Sequence, residues 1–366
     1  MKILFCSPYT SVGGISRWTQ HILKYIEKVS SHDVFLEKYY PASNSNPNGG
    51  ASVFKRLILG LQTYIPMCLG VNRKLKSEKY ELLHLCSSAS VSLIKDYFIL
   101  KSCKRQQVNS VVHFHFGRIP AIYLSRNWEY KLIHKVISLA DKVIVIDLKS
   151  YNTLLKEGYK NIELLPNPLT PQVEEIVNSN ANITVDDRKL LFAGHTVPTK
   201  GVFELIEACK QIPDIKLKMI GLVREDMRTQ LLQAAGEGNQ SWLEIAGEQD
   251  YETTIKEMMS AGVFVLPTYT EGFPNVILES MACGCPIVTT DVGAIPEMLD
   301  IENGFDNGIC VKPKDVQGLK EAILKMLNDR EYAVQCGLNA QKRVKEQYSM
   351  PIVWDKMVEI WKSTIN

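Results

Sequence analysis

The chain has 366 residues, 45% hydrophobic and 22% charged, an ordinary globular composition with material for two or three domains. It contains no low-complexity tract, no repeat at solenoid periods and no apolar run long enough to span a bilayer, which excludes disordered, repeat and integral-membrane classes. The net charge of +2 hides an imbalance, because residues 1–170 carry +12 and residues 171–366 carry −10. That split fits either an anionic partner for the first half (membrane, nucleic acid or a phosphorylated acceptor) or attraction between the two halves.

The chain opens directly into an apolar strand, so no signal peptide is expected. Nine cysteines without a CxxC pair fit a reducing, cytoplasmic setting. Cys283 and Cys285 are too close for the usual zinc-ligand spacing, and Cys6, Cys86 and Cys310 read as small buried hydrophobes.

Strand-like runs at 3–7, 34–38, 82–86, 111–116, 143–146 and 162–165 alternate with helical stretches. After the first run comes Ser7-Pro8-Tyr9-Thr10-Ser11-Val12-Gly13-Gly14-Ile15, a glycine pair opening a helix, where backbone can approach a phosphate or sugar closely. Segment 57–71 is apolar but holds Gln62 and Pro66, and Lys55, Arg56, Arg73, Lys74 and Lys76 flank it. It reads either as a helix at a membrane interface or as a core-packing helix. His113 and His115, two apart on the fourth run, share a face, but no third metal ligand is visible nearby.

Pro166-Asn167-Pro168 breaks the pattern, and the polar stretch 169–187 reads as a linker. A second series of strands is expected at 190–193, 215–220, 243–246, 263–267, 287–290 and 309–311, and a last helix at 353–362. The fold class is therefore α/β, with two successive Rossmann-like, doubly wound domains and a cleft between them.

The most telling stretch is Glu271-Gly272-Phe273-Pro274-Asn275-Val276-Ile277-Leu278-Glu279, between two buried parallel strands. Its position, a strand-to-helix loop at the carboxyl end of a sheet, is where open α/β folds bind ligands. Pro274 suits the first helical turn, leaving the amides of Asn275, Val276 and Ile277 to face a phosphate. Glu279, roughly 5–6 Å further up the axis, could grip a ribose diol, and Glu271 could meet sugar hydroxyls. Taken alone, two glutamates beside an amphipathic helix are more often surface residues.

The whole stretch, together with Pro267-Thr268, Met281-Ala282-Cys283-Gly284 and Val292-Gly293-Ala294-Ile295-Pro296-Glu297, resembles the retaining glycosyltransferases of the GT-B fold, family 4, also called glycosyl transferases group 1. The resemblance runs over essentially the full length and is far more specific in the second half. It implies transfer of a sugar from a nucleoside diphosphate donor, UDP-sugar favoured and GDP-sugar possible, to a hydroxyl of a glycan or lipid-linked acceptor. It implies no cofactor, and the absence of any Asp-x-Asp pair fits a metal-independent enzyme. Residues 1–168 would bind acceptor, 188–349 the nucleotide-sugar, and 350–366 would cross back to the first domain. No nucleic acid is expected as partner, and a peripheral position on the inner face of the cytoplasmic membrane is compatible with the basic first half.

By the same resemblance, Gly13 and Gly14 lie near the donor diphosphate with Arg17 beside them, and His115 contacts the sugar. Phe192-Ala193-Gly194-His195-Thr196-Val197-Pro198-Thr199-Lys200-Gly201 resembles the family's Gly-Arg…Lys-Gly motif, in which the basic pair clamps the diphosphate; Lys200 matches, but His195 stands where arginine is usual. Gly221 and Gly247 line the base pocket, Glu271 with Gly272, Phe273, Pro274 and Asn275 meets the transferred sugar, and Glu279 holds the ribose. Glu271, Lys200 and His115 form the catalytic set, and the leaving phosphate itself takes the acceptor proton. Rival readings are a GT-B nucleotide-sugar epimerase, a glycosidase using Glu271 and Glu279 as its carboxylates, and a basic nucleic-acid-binding module.

Overall fold

The computed structural model describes residues 1–9, 14–29, 33–40 and 53–366, with backbone alone for 53–62. The chain divides into two compact units, Met1–Asn167 with Val353–Asn366, and Pro168–Ile352. Each is built on a six-stranded parallel sheet.

The first sheet comprises β1 (Lys2–Cys6), β2 (Phe35–Lys38), β3 (Leu82–Ser87), β4 (Asn109–Phe114), β5 (Lys142–Val145) and β6 (Ile162–Leu164), in the order β2-β1-β3-β4-β5-β6. Its central strands are buried along nearly their whole length, as a sheet covered on both faces requires. Helices α1 (Gly14–Val29), α2 (Val53–Ser77) and α3 (Ser92–Gln106) follow β1, β2 and β3. The last helix, Met350–Ile365, buries Val353, Trp354, Met357, Ile360 and Trp361 at helical spacing, and Trp361 Nε1–H donates to His84 Nδ1 at 2.9 Å.

The second sheet comprises β7 (Asp186–Ala193), β8 (Lys216–Ile220), β9 (Leu243–Gly247), β10 (Ala261–Leu266), β11 (Ile287–Thr290) and β12 (Ile309–Val311), in the order β12-β11-β10-β7-β8-β9. The chain enters this sheet in its interior at β7, builds outward through β8 and β9, and returns at β10 on the other side of β7. The β7/β10 boundary is therefore its topological switch point, the position where loops diverge and open α/β sheets bind ligands. In the first sheet the same boundary lies between β1 and β3.

The expected linker at 169–187 is not one. Pro171–Ser179 forms a helix whose Val173 and Ile176 are buried, with proline in its first turn, where a missing N–H costs nothing. β7 then starts at Asp186, ahead of the apolar run. Its charged beginning is held by Lys189 bonded to Glu257 and Ser260, and by Arg330 paired with Asp187. Cys310, expected to be buried, is only half-buried on the edge strand β12, whereas Cys6 and Cys86 are buried; all nine cysteines are free thiols.

His84, His113 and His115 share one aromatic cluster with Phe5, Trp18 and Trp361. Burial pushes His84 and His115 down to about 3 and His113 well below the usual imidazole value. In the unfolded chain each titrates near 6.5, so between these values the unfolded state binds more protons and stability falls as pH drops. The loss begins below roughly pH 6.5 and amounts to about 2 kcal/mol at pH 5 for fully buried His84. The melting temperature is expected to be lower at pH 5 than at pH 7.5, with a flatter profile for His113→Gln; a pH-independent wild-type profile would contradict the buried-neutral state.

Candidate active site

The loops leaving β7 and β10 are tied to each other by backbone. Tyr269 N–H donates to Thr199 O at 2.9 Å, and the Thr268 hydroxyl reaches the same oxygen at 3.4 Å. Gly201, at φ +70°, presses on this tie: a Cβ there would lie 2.0 Å from Pro267 O. The outcome is a direct ion pair between Lys200, at the end of the short turn Pro198–Lys200, and Glu271, both largely screened from solvent. Two residues 71 apart in sequence thus meet at the switch point of the sheet.

The β10 loop is backed by the turn after β11. Ala294 N–H donates to Gly272 O at 2.9 Å, and Gly293 sits at φ +57° with its Cα so close that a Cβ would fall 2.3 Å from Glu271 O. Thr290 hydroxyl donates to Thr268 O at 2.6 Å, anchoring the loop's start to the neighbouring strand.

The helix after the loop runs Asn275–Ala282, one residue later than the sequence suggested. Pro274 is its N-cap, with extended backbone (φ −75°, ψ 114°), and not a member of the first turn. Just before it the chain bends at Gly272 and Phe273, and the Phe273 side chain is buried against the Tyr348 ring. The Ile277 amide, expected to face a ligand, instead donates to Pro274 O at 3.1 Å, so the three-amide reading shrinks. Glu279 lies further along this helix, and Tyr251 hydroxyl donates to its Oε1 at 2.9 Å. Burial and then Glu279 raise the Tyr251 pKa, keeping that hydroxyl a donor. Tyr251 starts the helix Tyr251–Ser260 after β9; nothing in its sequence neighbourhood signals this role.

Gly194, Gly221 and Gly247 lie side by side at the ends of β7, β8 and β9. Gly194 N–H donates to Ile220 O at 2.9 Å and Gly221 N–H to Gly247 O at 2.8 Å. His195 is exposed in the same row of loops. The second unit thus gathers His195, Lys200, Gly221, Gly247, Glu271, Gly272, Phe273, Asn275, Val276 and Glu279 around the carboxyl ends of β7 to β10.

The remaining expected site residues belong to the first unit. Gly13 lies outside the described residues; Gly14 begins α1 with open space where a Cβ would stand, and Arg17 is exposed one turn on. His115, just past β4, is half-buried with Nε2 3.3 Å from Cys86 Sγ. At the β3 side of the first switch point, Ala89 and Ser90 have φ of +68° and +58°, and Glu129 holds both the Ser90 amide (2.7 Å) and Arg118 through two contacts (2.6 and 3.1 Å). Consecutive left-handed non-glycine residues are uncommon and cluster at functional sites; the Ser-Ser-Ala-Ser sequence carries no signal of it.

His84, Cys86 and His113 place ligand-type atoms within 4.8 Å of one another. Their chemistry does not suit a metal. Because Trp361 donates to His84 Nδ1, neutral His84 keeps its proton on Nε2, the nitrogen that a metal would need. Burial also pushes the Cys86 thiol up to about 12, far from the thiolate that metals bind.

Gly293→Ala tests the backing turn. The left-handed backbone alone costs about 1–2 kcal/mol with a Cβ, and the contact with Glu271 O forces that loop to move. The expected result is a lower melting temperature and a loss of turnover of roughly a hundredfold, measured against Gly304→Ala, whose Cβ meets open space at a similar φ.

Residues 174–343 match the family model described as glycosyl transferases group 1. The chain is 27% identical over 251 residues to the capsular polysaccharide biosynthesis glycosyltransferase CapM of Staphylococcus aureus, covering 66% of this chain and 61% of that protein. It is 30% identical over 285 residues to an uncharacterized glycosyltransferase of Methanocaldococcus jannaschii, covering 72% and 69%. Among solved structures, Anabaena HepE in complex with UDP superposes with a TM-score of 0.72 at 17% identity, over 99% of this chain and 100% of that one. Set beside two parallel sheets with ligand-type residues at a switch point, these matches place the chain: it has the GT-B fold and belongs to the group 1 glycosyl transferases.

Proposed function

We propose that the chain transfers a sugar from a UDP-sugar to the hydroxyl of a glycan or lipid-linked acceptor in cell-surface polysaccharide assembly, with retention of configuration and without a metal. The observation that carries this reading is the meeting of Lys200 and Glu271 at the β7/β10 switch point, with Glu279 on the helix just beyond. Lys200 and the Val276 amide at the helix start supply positive potential for a diphosphate. Glu279, steadied by Tyr251, accepts from the ribose hydroxyls, and Glu271 and Asn275 orient the transferred sugar. Gly221 and Gly247 let a base approach the strand ends without side-chain obstruction. Charge developing on the departing diphosphate is stabilised by fixed groups, and the leaving phosphate takes the acceptor proton, so the protein contributes position and electrostatics. The names of the relatives support the setting: CapM acts in capsular polysaccharide biosynthesis, and HepE crystallises with UDP.

The test is binding before catalysis. Thermal unfolding in millimolar UDP, GDP or ADP is expected to show stabilisation by UDP alone, about 2.7 kcal/mol at one hundred times Kd. Glu279→Ala removes acceptors for two charge-assisted bonds and should raise the donor KM roughly tenfold to a hundredfold with a smaller change in kcat. Wild-type donor kinetics in that variant would remove the ribose role, and stabilisation by GDP in place of UDP would reassign the donor.

His195 replaces the arginine expected in its motif, and an imidazole lacks the permanent charge and bidentate fork of a guanidinium. A bound diphosphate favours the protonated ring. His195→Ala is therefore expected to weaken donor binding, while His195→Arg strengthens it. Equal affinity of His195→Ala and wild type at pH 6 would release His195 from the site.

A further inference from the structure

Helix α2 is apolar on two faces. Met67, Val71 and Leu75, spaced by four, are buried in the core of the first unit. Ile65 and Leu69, also spaced by four, point the other way and are 54% and 62% exposed. Across from them on α3, Ile94 and Phe98 are 38% and 53% exposed. Together with Tyr64, these four side chains line an open groove of about 430 Å3 between α2 and α3. That volume falls in the range of roughly 300–1,000 Å3 typical of small-molecule sites. Within the 57–71 segment side chains are described from residue 63 onward; there one stripe packs inward, as expected of a core helix, and the opposite stripe joins α3 in a second apolar surface.

The charge of this groove has one sign. Lys101 and Arg105 follow Phe98 at the next two turns of α3 and line the same wall. Lys95, also in the lining, is buried and paired with buried Asp96, which accepts a further bond from Ser87 at 2.5 Å. The inner charge is thereby matched; among the described residues Lys101 and Arg105 have no acidic partner, and Lys101 Nζ lies 5.1 Å from the Tyr97 ring centroid. No described residue lining the groove is acidic.

We propose that the α2–α3 groove takes an acyl chain of an anionic phospholipid, with Lys101 and Arg105 on the headgroup phosphate, and so docks the first unit on an anionic bilayer. An apolar trough edged by cations matches the two halves of such a lipid. A second copy of the same face is the poorer occupant, because it would bring cation against cation. Among the described residues no helix is long and apolar enough to cross a membrane, so the contact is peripheral. The proposal stands apart from the transferase reading, and its readout needs no activity.

Co-sedimentation of the full chain with phosphatidylcholine vesicles containing 30% phosphatidylglycerol, at low and high salt, is the experiment. Binding is expected at low salt and release at high salt, with little binding to pure phosphatidylcholine. Leu69→Glu with Phe98→Glu should abolish sedimentation at an unchanged melting temperature. Lys101→Glu with Arg105→Glu should lower partitioning at least about fivefold per residue changed. The proposal is overturned if wild type stays in the supernatant with anionic vesicles, or if both double variants sediment like wild type. It is also overturned if wild type ignores vesicles but forms a dimer that Leu69→Glu with Phe98→Glu dissolves.

Discussion

The second unit depends on one backbone contact, the Tyr269 amide on Thr199 O. At a switch point the loops leave adjacent strands in opposite directions, which opens a crevice and by itself separates their side chains. The tie reverses that separation locally. It requires Gly201, because any Cβ would strike Pro267 O. A single neutral hydrogen bond contributes only about 1 kcal/mol net, so its importance is geometric: it sets the spacing at which Lys200 and Glu271 meet. Gly293 and the Ala294 amide then fix Glu271 from the far side.

In the first unit the corresponding constraint is aromatic. His84 and His113 come from the neighbouring strands β3 and β4, His115 follows β4 directly, and Trp361 returns from the far end of the chain to bond His84. The resulting cluster favours neutral imidazoles, since burial penalises each charge. It leaves His84 Nε2 and both His113 nitrogens buried without a partner among the described residues. Such groups are normally satisfied by protein or water; here the rings stack and meet edge-on against one another and Trp18, so packing takes precedence over hydrogen bonding.

Both sheets are legible in the amino-acid sequence. Fully buried parallel strands appear as continuous apolar runs, and the expected strands lie in both sheets within a few residues of their observed ends. What the sequence conceals is set by partners distant along the chain. The polar start of β7 looks like linker because its charges are matched by Glu257, Ser260 and Arg330, far downstream. Pro274 has the character of a first-turn residue but stands at the cap, next to a bend whose Phe273 packs on Tyr348, far downstream. Glu279 is readable as a ligand candidate from its spacing, whereas Tyr251, which holds it, is not. The two stripes of α2 interleave in sequence, so periodicity alone does not say which faces the core.

The Lys200–Glu271 pair also bears on selectivity. Each group is partly shielded from water, so neither is left alone cheaply: separating a half-buried pair forfeits Coulomb energy of about 4 kcal/mol at 4 Å and an effective dielectric near 20. An anion that drew Lys200 to itself would leave the Glu271 carboxylate facing added negative charge. Inorganic phosphate offers Glu271 nothing in return. A diphosphate that carries a sugar offers hydroxyls, which donate to the carboxylate while the phosphate occupies the ammonium. On the proposed reading, a nucleotide-sugar meets both demands together and so gains affinity over a bare nucleotide, which binds through its other contacts alone.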